Sequence, residues 1–520
     1  MDKFISRFTD KIMGVLSGFD RLVFRGHLLP LMRDGGIHAF LNYAGVRLLD
    51  FKNFVLKTSD AIKQAAIAEA EAAGRPICYL ESSRPSKEDL AREILAERPV
   101  DEGLICLFKT VEPCMSFEYH RSPNKSERGL KLRTRKCLHI YKYFVHPVFG
   151  FMSARLQTWF PFTIQVCLNG REWLATELAS KREIFLREDN CITWFAPAQR
   201  QVQRLCDGQL KTEWTRALTQ IARRLNPLHQ RIFEPWPMDY YWSAYQTEWA
   251  TDILFDDPRA LAAVYPSLVQ YAMHHLQSPD VMRFLGRKIL ANFKGELVTS
   301  FKDRPEGVRV KHFVAGNSIK MYDKAASVLR IETTIGNVTP FKVYRPADDQ
   351  RPERKLAWRP LRKGIADLHR RAQVSQHAND SYLGALAAAS NDTKVANLFD
   401  EASRPGSYRG RRVRGLRIGD KNDVALLQAI SRGDWATAGF RNRDLRPLLY
   451  PATRLASAET ARKLSARTGR QLRLLRAHGI INKVPKSHRY RLTDKGQLLT
   501  AALFAAREAT VEKLIGKAAA

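Results

Sequence analysis

Short blocks of alternating and helically spaced apolar positions run along most of the chain, and the spacing changes character several times. Residues 22–24 and 77–80 predict short strands, and the alanine-rich stretch 62–73 predicts a helix. Ser86-Lys-Glu-Asp89 predicts the capped start of another amphipathic helix, with acids in its first turn. From 103 to 168 the pattern turns to strand. Residues 104–109, 115–119, 130–145 and 149–168 are rich in aromatic and β-branched side chains, and the polar segment 123–129 connects two of these runs. Asn169-Gly170 closes this region, and helices follow to about residue 225.

A second mixed region follows. Residues 240–255 read as a helical patch and 278–290 as a second helix, before strands at 308–314, 319–324 and 328–335. Residues 356–388 return to helix behind a basic opening at Arg359, Arg362 and Lys363. The segment from Arg404 to Arg414 is dominated by Gly, Pro and Arg and reads as an exposed linker whose arginines, Arg411, Arg412 and Arg414 among them, suit phosphates. Beyond it, 439–449 predicts a short helix with Leu445, Leu448 and Leu449 facing inward. Residues 457–478 predict a long one with Leu464, Leu472 and Leu475 on its apolar face, stopped by Gly479. Two short strands at 480–484 and 490–492 and a final helix from Thr493 to Glu512 complete the chain's pattern.

Charge adds a direction to this picture. The 520 residues carry 85 Lys+Arg against 53 Asp+Glu, a net +32, and +17 of it falls in residues 401–520. That skew predicts a polyanionic partner, DNA first and RNA as the alternative. With 45% hydrophobic residues the chain can build cores, and its length suits three or four units of ~150 residues. No apolar run reaches the ~18 residues of a membrane span, so no membrane partner is expected. The first residues, Met1-Asp-Lys-Phe-Ile-Ser-Arg-Phe8, lack the apolar core of a signal peptide. Seven cysteines, none in a Cys-x-x-Cys pair, sit mostly in apolar runs, which predicts reduced thiols and a cytoplasmic location. No Gly-x-x-x-x-Gly-Lys loop is present, so nothing points to nucleotide-driven work. No feature sets an oligomeric state.

The order helix, helix, basic two-stranded tip, helix over 436–520 has a known parallel. Leu472-Arg-Leu-Leu-Arg-Ala-His-Gly-Ile-Ile481 and Tyr490-Arg-Leu-Thr-Asp-Lys-Gly496 resemble the recognition-helix and wing segments of MarR-like winged helix-turn-helix regulators. The resemblance implies a helix in the DNA major groove and a wing on the backbone or minor groove. It would place Arg462, Lys463, Arg467, Arg470 and Arg473 toward phosphates or base edges, with Lys486 and Arg489 on backbone. The alternative for such a fold is a protein-binding winged helix.

The strongest candidate for chemistry is Asn317-Ser-Ile-Lys-Met-Tyr-Asp-Lys324 followed by Val328-Leu-Arg-Ile-Glu-Thr-Thr334. Read as a hairpin, it places Lys320, Tyr322 and Lys324 on one face, with Ile319 and Met321 on the other. On the return strand Arg330, Glu332 and Thr334 share a side. Cations beside Tyr322 favour its phenolate, and Glu332 suits a divalent cation that polarises a phosphate. This pattern resembles the replication initiators of filamentous phages and rolling-circle plasmids. The resemblance implies Tyr322 as nucleophile forming a 5′-phosphotyrosine, Lys324 as charge stabiliser and Glu332 as metal ligand or as an acid supporting one. The His-hydrophobic-His motif common in those families is absent, and His139, His146 and His312 do not reproduce its spacing. An ordinary strand, with Arg330 and Glu332 as a cross-strand ion pair, is the alternative.

A second acidic set, Glu248 and Asp252, is four residues apart and so on one face of the helix read over 240–255, suited to sharing a metal or capturing Arg283 or Arg287. Tyr241 and Tyr245 suit base stacking or core packing. The sequence therefore predicts an α+β protein: a mixed, largely antiparallel sheet body with surrounding helices, plus a carboxy-terminal winged helix-turn-helix. Its expected regions are 1–102 (α/β), 103–235 (β-rich then helical), 236–355 (candidate catalytic), 356–400 (helical), 401–435 (linker and short helix) and 436–520 (DNA-binding). The expected function is that of a mobile-element or plasmid replication protein that nicks and joins DNA through Tyr322, with Mg²⁺ or Mn²⁺. A non-enzymatic regulator binding DNA or RNA and a metal-dependent nuclease using Glu248 and Asp252 are the rival readings.

Overall fold

The computed structural model describes the chain except for residues 83–84, 123–127, 275, 277, 286–296, 303–307, 347–355, 388–394, 409, 433–434, 436–438, 452–456, 486 and 510–520. It is an α+β protein that separates into two compact units. One comprises residues 13–255 and 327–376, the other residues 1–12, 256–326 and 377–520.

The first unit, the body, is built on a mixed sheet. Its strands are β1 (Ile12–His27), β2 (Ile77–Leu80), β3 (Gly103–His120), β4 (Gly129–His146), β5 (Gly150–Gln157), β6 (Ile164–Asn169), β7 (Tyr241–Phe255) and β8 (Val328–Ile335). They lie side by side in the order β8-β7-β1-β6-β5-β4-β3-β2. β2 runs parallel to β3, whereas β3–β4, β4–β5, β5–β6, β1–β6 and β7–β8 are antiparallel. Leu22, Phe24, Ile164, Val166, Leu156 and Met152 from neighbouring strands join Trp173, Trp214 and Leu218 in one apolar core.

Two long elements differ from the sequence expectation. Residues 240–255, read as a helix, form β7, because Tyr, Trp, Thr and Ile side chains pack well on a pleated surface. β1 extends well beyond the short strand read at 22–24. β8 is buried along its whole length, so its Arg330/Glu332 side, which alternation marks as polar, lies inside the protein.

A helix from Gly170 to Ser180 follows β6 directly. Asn169 caps it, its side-chain oxygen accepting from the backbone N–H groups of Arg171 and Glu172. Gly170 is required there: a Cβ would stand 2.0 Å from the carbonyl oxygen of Phe19 on β1. A hairpin of Phe185–Glu188 and Cys191–Phe195 turns through Asp189, at φ 49°.

In the second unit Leu297–Lys302, Arg309–Val314 and Asn317–Lys324 form an antiparallel meander. Its carboxy-terminal module contains helices Val395–Ser403, Lys421–Ser431, Asn442–Leu449, Ala458–Ala477 and Asp494–Glu508, with two-stranded ribbons at Gly406–Tyr408/Arg411–Val413 and Ile481–Lys483/Tyr490–Leu492. Leu445, Leu472, Leu475, Ile480, Leu499 and Leu503 fill its core. Ser457 and Thr493 cap two of the helices, and Gly479 follows the longest with φ 68°. The segment read as an exposed linker carries the first of these ribbons. Among the described residues no helix is long and apolar enough to cross a membrane.

Candidate metal centre

Three carboxylates converge on the body sheet from three adjacent strands: Asp20 on β1, Glu248 on β7 and Glu332 on β8. One oxygen from each lies within 4.8 Å of the others, a spacing that fits a shared divalent cation. Asp20 and Glu332 are 6% and 2% exposed, while Glu248 is half-buried and is the accessible member. The pairing of β8 with β7 explains the convergence. Thr334 stands opposite Glu248, Ala250 opposite Glu332 and Asp252 opposite Arg330, so Glu332 faces the smallest side chain of that row. Gln246, two residues along β7, donates to Glu248 at 2.9 Å.

Beside Asp20 lies a buried ionic lattice that orients it. The Arg330 guanidinium donates to Asp252 through Nε (2.6 Å) and Nη2 (3.0 Å), and to Asp20 through Nη1 (3.1 Å). It also donates to the backbone oxygen of Asn190 at 3.0 Å, and the Asn190 side-chain amide donates to Asp20 at 3.0 Å. Arg171, wholly buried, shares Asp252 Oδ2 with Arg330 Nη2, at 2.9 Å, and donates to the carbonyl of Ala250 at 3.3 Å. Gly18, two residues before Asp20, leaves space for that guanidinium: a Cβ there would lie 3.2 Å from Arg171 Nη1.

The electrostatics separate the acids. Burial pushes the Asp20 carboxyl above its ordinary value; Arg330 opposes this and neighbouring Glu332 adds to it. Burial also pushes Asp252 up, but Arg171 and Arg330 more than offset it, and its pKa lies below the ordinary 3.8. Asp252 is thus an ionised partner of two guanidinium groups, whereas Asp20 sits among like charges that a cation would relieve.

This corrects the acidic pair read from sequence. Glu248 joins the triad, but Asp252 is a strand residue engaged by Arg171 and Arg330. Arg283 pairs instead with Asp280 at 3.4 Å, and Arg287 lies outside the described residues. Arg330 pairs with Asp252 and Asp20. Asp20 was not anticipated; its only signal is an acid within the apolar run Val15-Leu-Ser-Gly-Phe-Asp-Arg-Leu-Val-Phe24.

Tyr322 and Lys324 belong to the other unit and are half-buried on Asn317–Lys324. Ile319 and Met321 are fully buried on the opposite face, and the Arg309 and Lys320 cations lie 5.9 and 6.0 Å from the Tyr322 ring centre. His312 is buried between Thr299 (2.9 Å) and Tyr382 (3.1 Å), and burial lowers its pKa to about 4. His139 is also buried and shifted to about 4, first by burial and then by Arg155.

Arg462, Lys463, Arg467, Arg470 and Arg473 are all exposed on Ala458–Ala477, and Lys463 pairs with Glu459 at 2.7 Å. Arg411 and Arg412 are exposed, but Arg414 is gripped by Asp423 through two 2.7 Å bonds, which ties it to the module. Arg489 is half-buried and donates to the Gly439 carbonyl at 3.1 Å. Lys486 lies outside the described residues. No family model, curated protein or solved structure matches this chain.

Proposed function

We propose that this chain is a nucleic-acid-processing protein whose body cleaves phosphodiester bonds with Mg²⁺ or Mn²⁺ held by Asp20, Glu248 and Glu332. The convergence of those three carboxylates from adjacent strands is the observation that carries the reading. A cation there would neutralise a phosphate and activate water for attack. The chain's own residues do the positioning. Arg330 and Asn190 fix Asp20, Asp252 fixes Arg330, and Glu248 meets the incoming group as the accessible acid. The carboxy-terminal module, read as a winged helix, would hold DNA through Arg462, Arg467, Arg470 and Arg473, in keeping with the +17 carried by residues 401–520.

A second reading keeps Tyr322 as a covalent nucleophile. Its support is the half-buried position of Tyr322 with the Arg309 and Lys320 cations 5.9 and 6.0 Å from its ring centre, where they would help neutralise a phosphate under attack. In that reaction a Tyr322 oxygen–phosphorus bond forms as the phosphorus–O3′ bond breaks, and O3′ takes up a proton. One experiment separates the readings: end-labelled single- and double-stranded DNA, and RNA, incubated with Mn²⁺ or Mg²⁺. Cleavage lost in Glu248→Gln but kept in Tyr322→Phe supports the metal centre. A protein–DNA adduct lost in Tyr322→Phe supports the tyrosine. Salt-sensitive binding without cleavage of any substrate supports a regulator and overturns both.

A further inference from the structure

Outside the acidic centre, the body carries a small antiparallel ribbon of Lys342–Arg345 and Ala357–Pro360, in register Lys342–Pro360, Val343–Arg359, Tyr344–Trp358 and Arg345–Ala357. Its two faces have opposite fates. Val343 and Arg345 point inward and are buried, whereas Tyr344 and Trp358 are directly opposed on the outer face and are 55% and 69% exposed. Their ring centres are 5.9 Å apart, and Leu356 and Lys342 extend the same face. The exposed cross-strand Tyr–Trp pair takes no part in the core and presents ring faces that suit a flat, stackable ligand.

The ribbon is anchored beneath. Arg345 donates to the Pro360 and Pro346 carbonyls at 3.1 and 3.2 Å, and Leu361 N–H donates to Phe341 at 3.0 Å. Its trailing end is stitched to β7: Ala244 N–H donates to the Lys363 carbonyl at 2.8 Å, and Ser243 bridges Gly364. Ser243 precedes Glu248 on that strand by five residues, about 17 Å at ~3.4 Å per residue. Charge selects the ligand. Among the described residues of 342–363, Lys342, Arg345, Arg359, Arg362 and Lys363 are basic and none is acidic; Lys342 and Lys363 are exposed, whereas Arg362 donates to Asp367 at 2.8 and 3.1 Å.

We infer that Tyr344 and Trp358 form a base-stacking platform for single-stranded nucleic acid, with Lys342 and Lys363 tracking its phosphates. Unpaired bases offer the π faces that a duplex hides between its own pairs, and aromatic platforms bind them with little regard to sequence. The inference rests on the reading of the chain as a nucleic-acid-processing protein and extends it to the form of strand bound.

The test uses the whole 520-residue chain in EDTA, so that binding is read without any metal chemistry. Fluorescence anisotropy is measured on labelled single-stranded DNA, single-stranded RNA and a duplex of equal length. Trp358→Ala, with an unchanged melting curve, is expected to weaken single-strand binding by roughly 5- to 150-fold, to leave the duplex affinity unaltered and to be partly rescued by Trp358→Phe. Unchanged single-strand affinity in Trp358→Ala and Tyr344→Ala would overturn the inference and leave the pair as a protein-docking surface. Equal weakening for single strand and duplex would overturn it too. Failure of cleavage in metal, by contrast, would strike only the acidic centre.

Discussion

Asp252→Asn removes one charge from the buried lattice while preserving side-chain shape. In the native protein this carboxylate accepts from Arg330 at 2.6 and 3.0 Å and from Arg171 at 2.9 Å, and all three side chains are essentially inaccessible. An amide cannot replace both interactions, and two guanidinium groups would stay buried with one carboxylate fewer. Breaking such a pair by removing one partner costs about 3–5 kcal/mol. The pH dependence gives the signature. The folded pKa of Asp252 lies below its ordinary 3.8, so its stabilisation is fully present above that value and disappears as pH falls through the folded pKa. Urea unfolding followed by tryptophan fluorescence should therefore show a constant difference between native and variant from pH 7 to about pH 5, narrowing below pH 4. A difference under about 1 kcal/mol at pH 7, or one that does not narrow on acidification, would refute the lattice as described.

Three further outcomes follow from the same reasoning. Arg371 is wholly buried, its three guanidinium nitrogens have no hydrogen-bond partner among the described residues, and burial lowers its pKa to about 10 against the pull of Asp367. Arg371→Met should accordingly raise stability by about 1–3 kcal/mol in thermal or urea unfolding, and a loss of stability would contradict that account. Gly170→Ala forces a Cβ to within 2.0 Å of the Phe19 carbonyl, and should cost about 1–3 kcal/mol in the same assay while weakening Mn²⁺ binding through displaced Asp20. Arg470→Ala and Arg473→Ala should each lower duplex affinity and reduce the slope of log K against log salt by about 1; an unchanged slope would remove that helix from the DNA interface.

From residue 442 to 508 the helices and the second ribbon were legible because their signals are local, whereas the ribbon at Gly406–Val413 was read as a linker. Ser457, Thr493 and Gly479 mark helix ends by their own side chains or backbone freedom, and Leu445, Leu472 and Leu475 fall on the buried face that their spacing implies. The strand Asn317–Lys324 was legible for the same reason, since Ile319 and Met321 alternate with Lys320 and Tyr322. The acidic centre was only half legible. Residues four apart share a face in a strand as in a helix, so Glu248 and Asp252 could be grouped even though β7 was read as helical. What each acid does depends on cross-strand neighbours far away in sequence: Arg330 for Asp252, and Glu332 and Asp20 for Glu248. Asp20 gains meaning only when β1, β7 and β8 stand side by side, which no local pattern encodes.

Divalent-cation binding tests the central claim most directly. Mn²⁺ titrated into the purified protein and followed by electron paramagnetic resonance should reveal a saturable site that disappears in Glu332→Gln and in Asp20→Asn, weakens in Glu248→Gln and competes with Mg²⁺. Absence of a saturable site in the native protein, or a site that persists unchanged in Glu332→Gln, would contradict it.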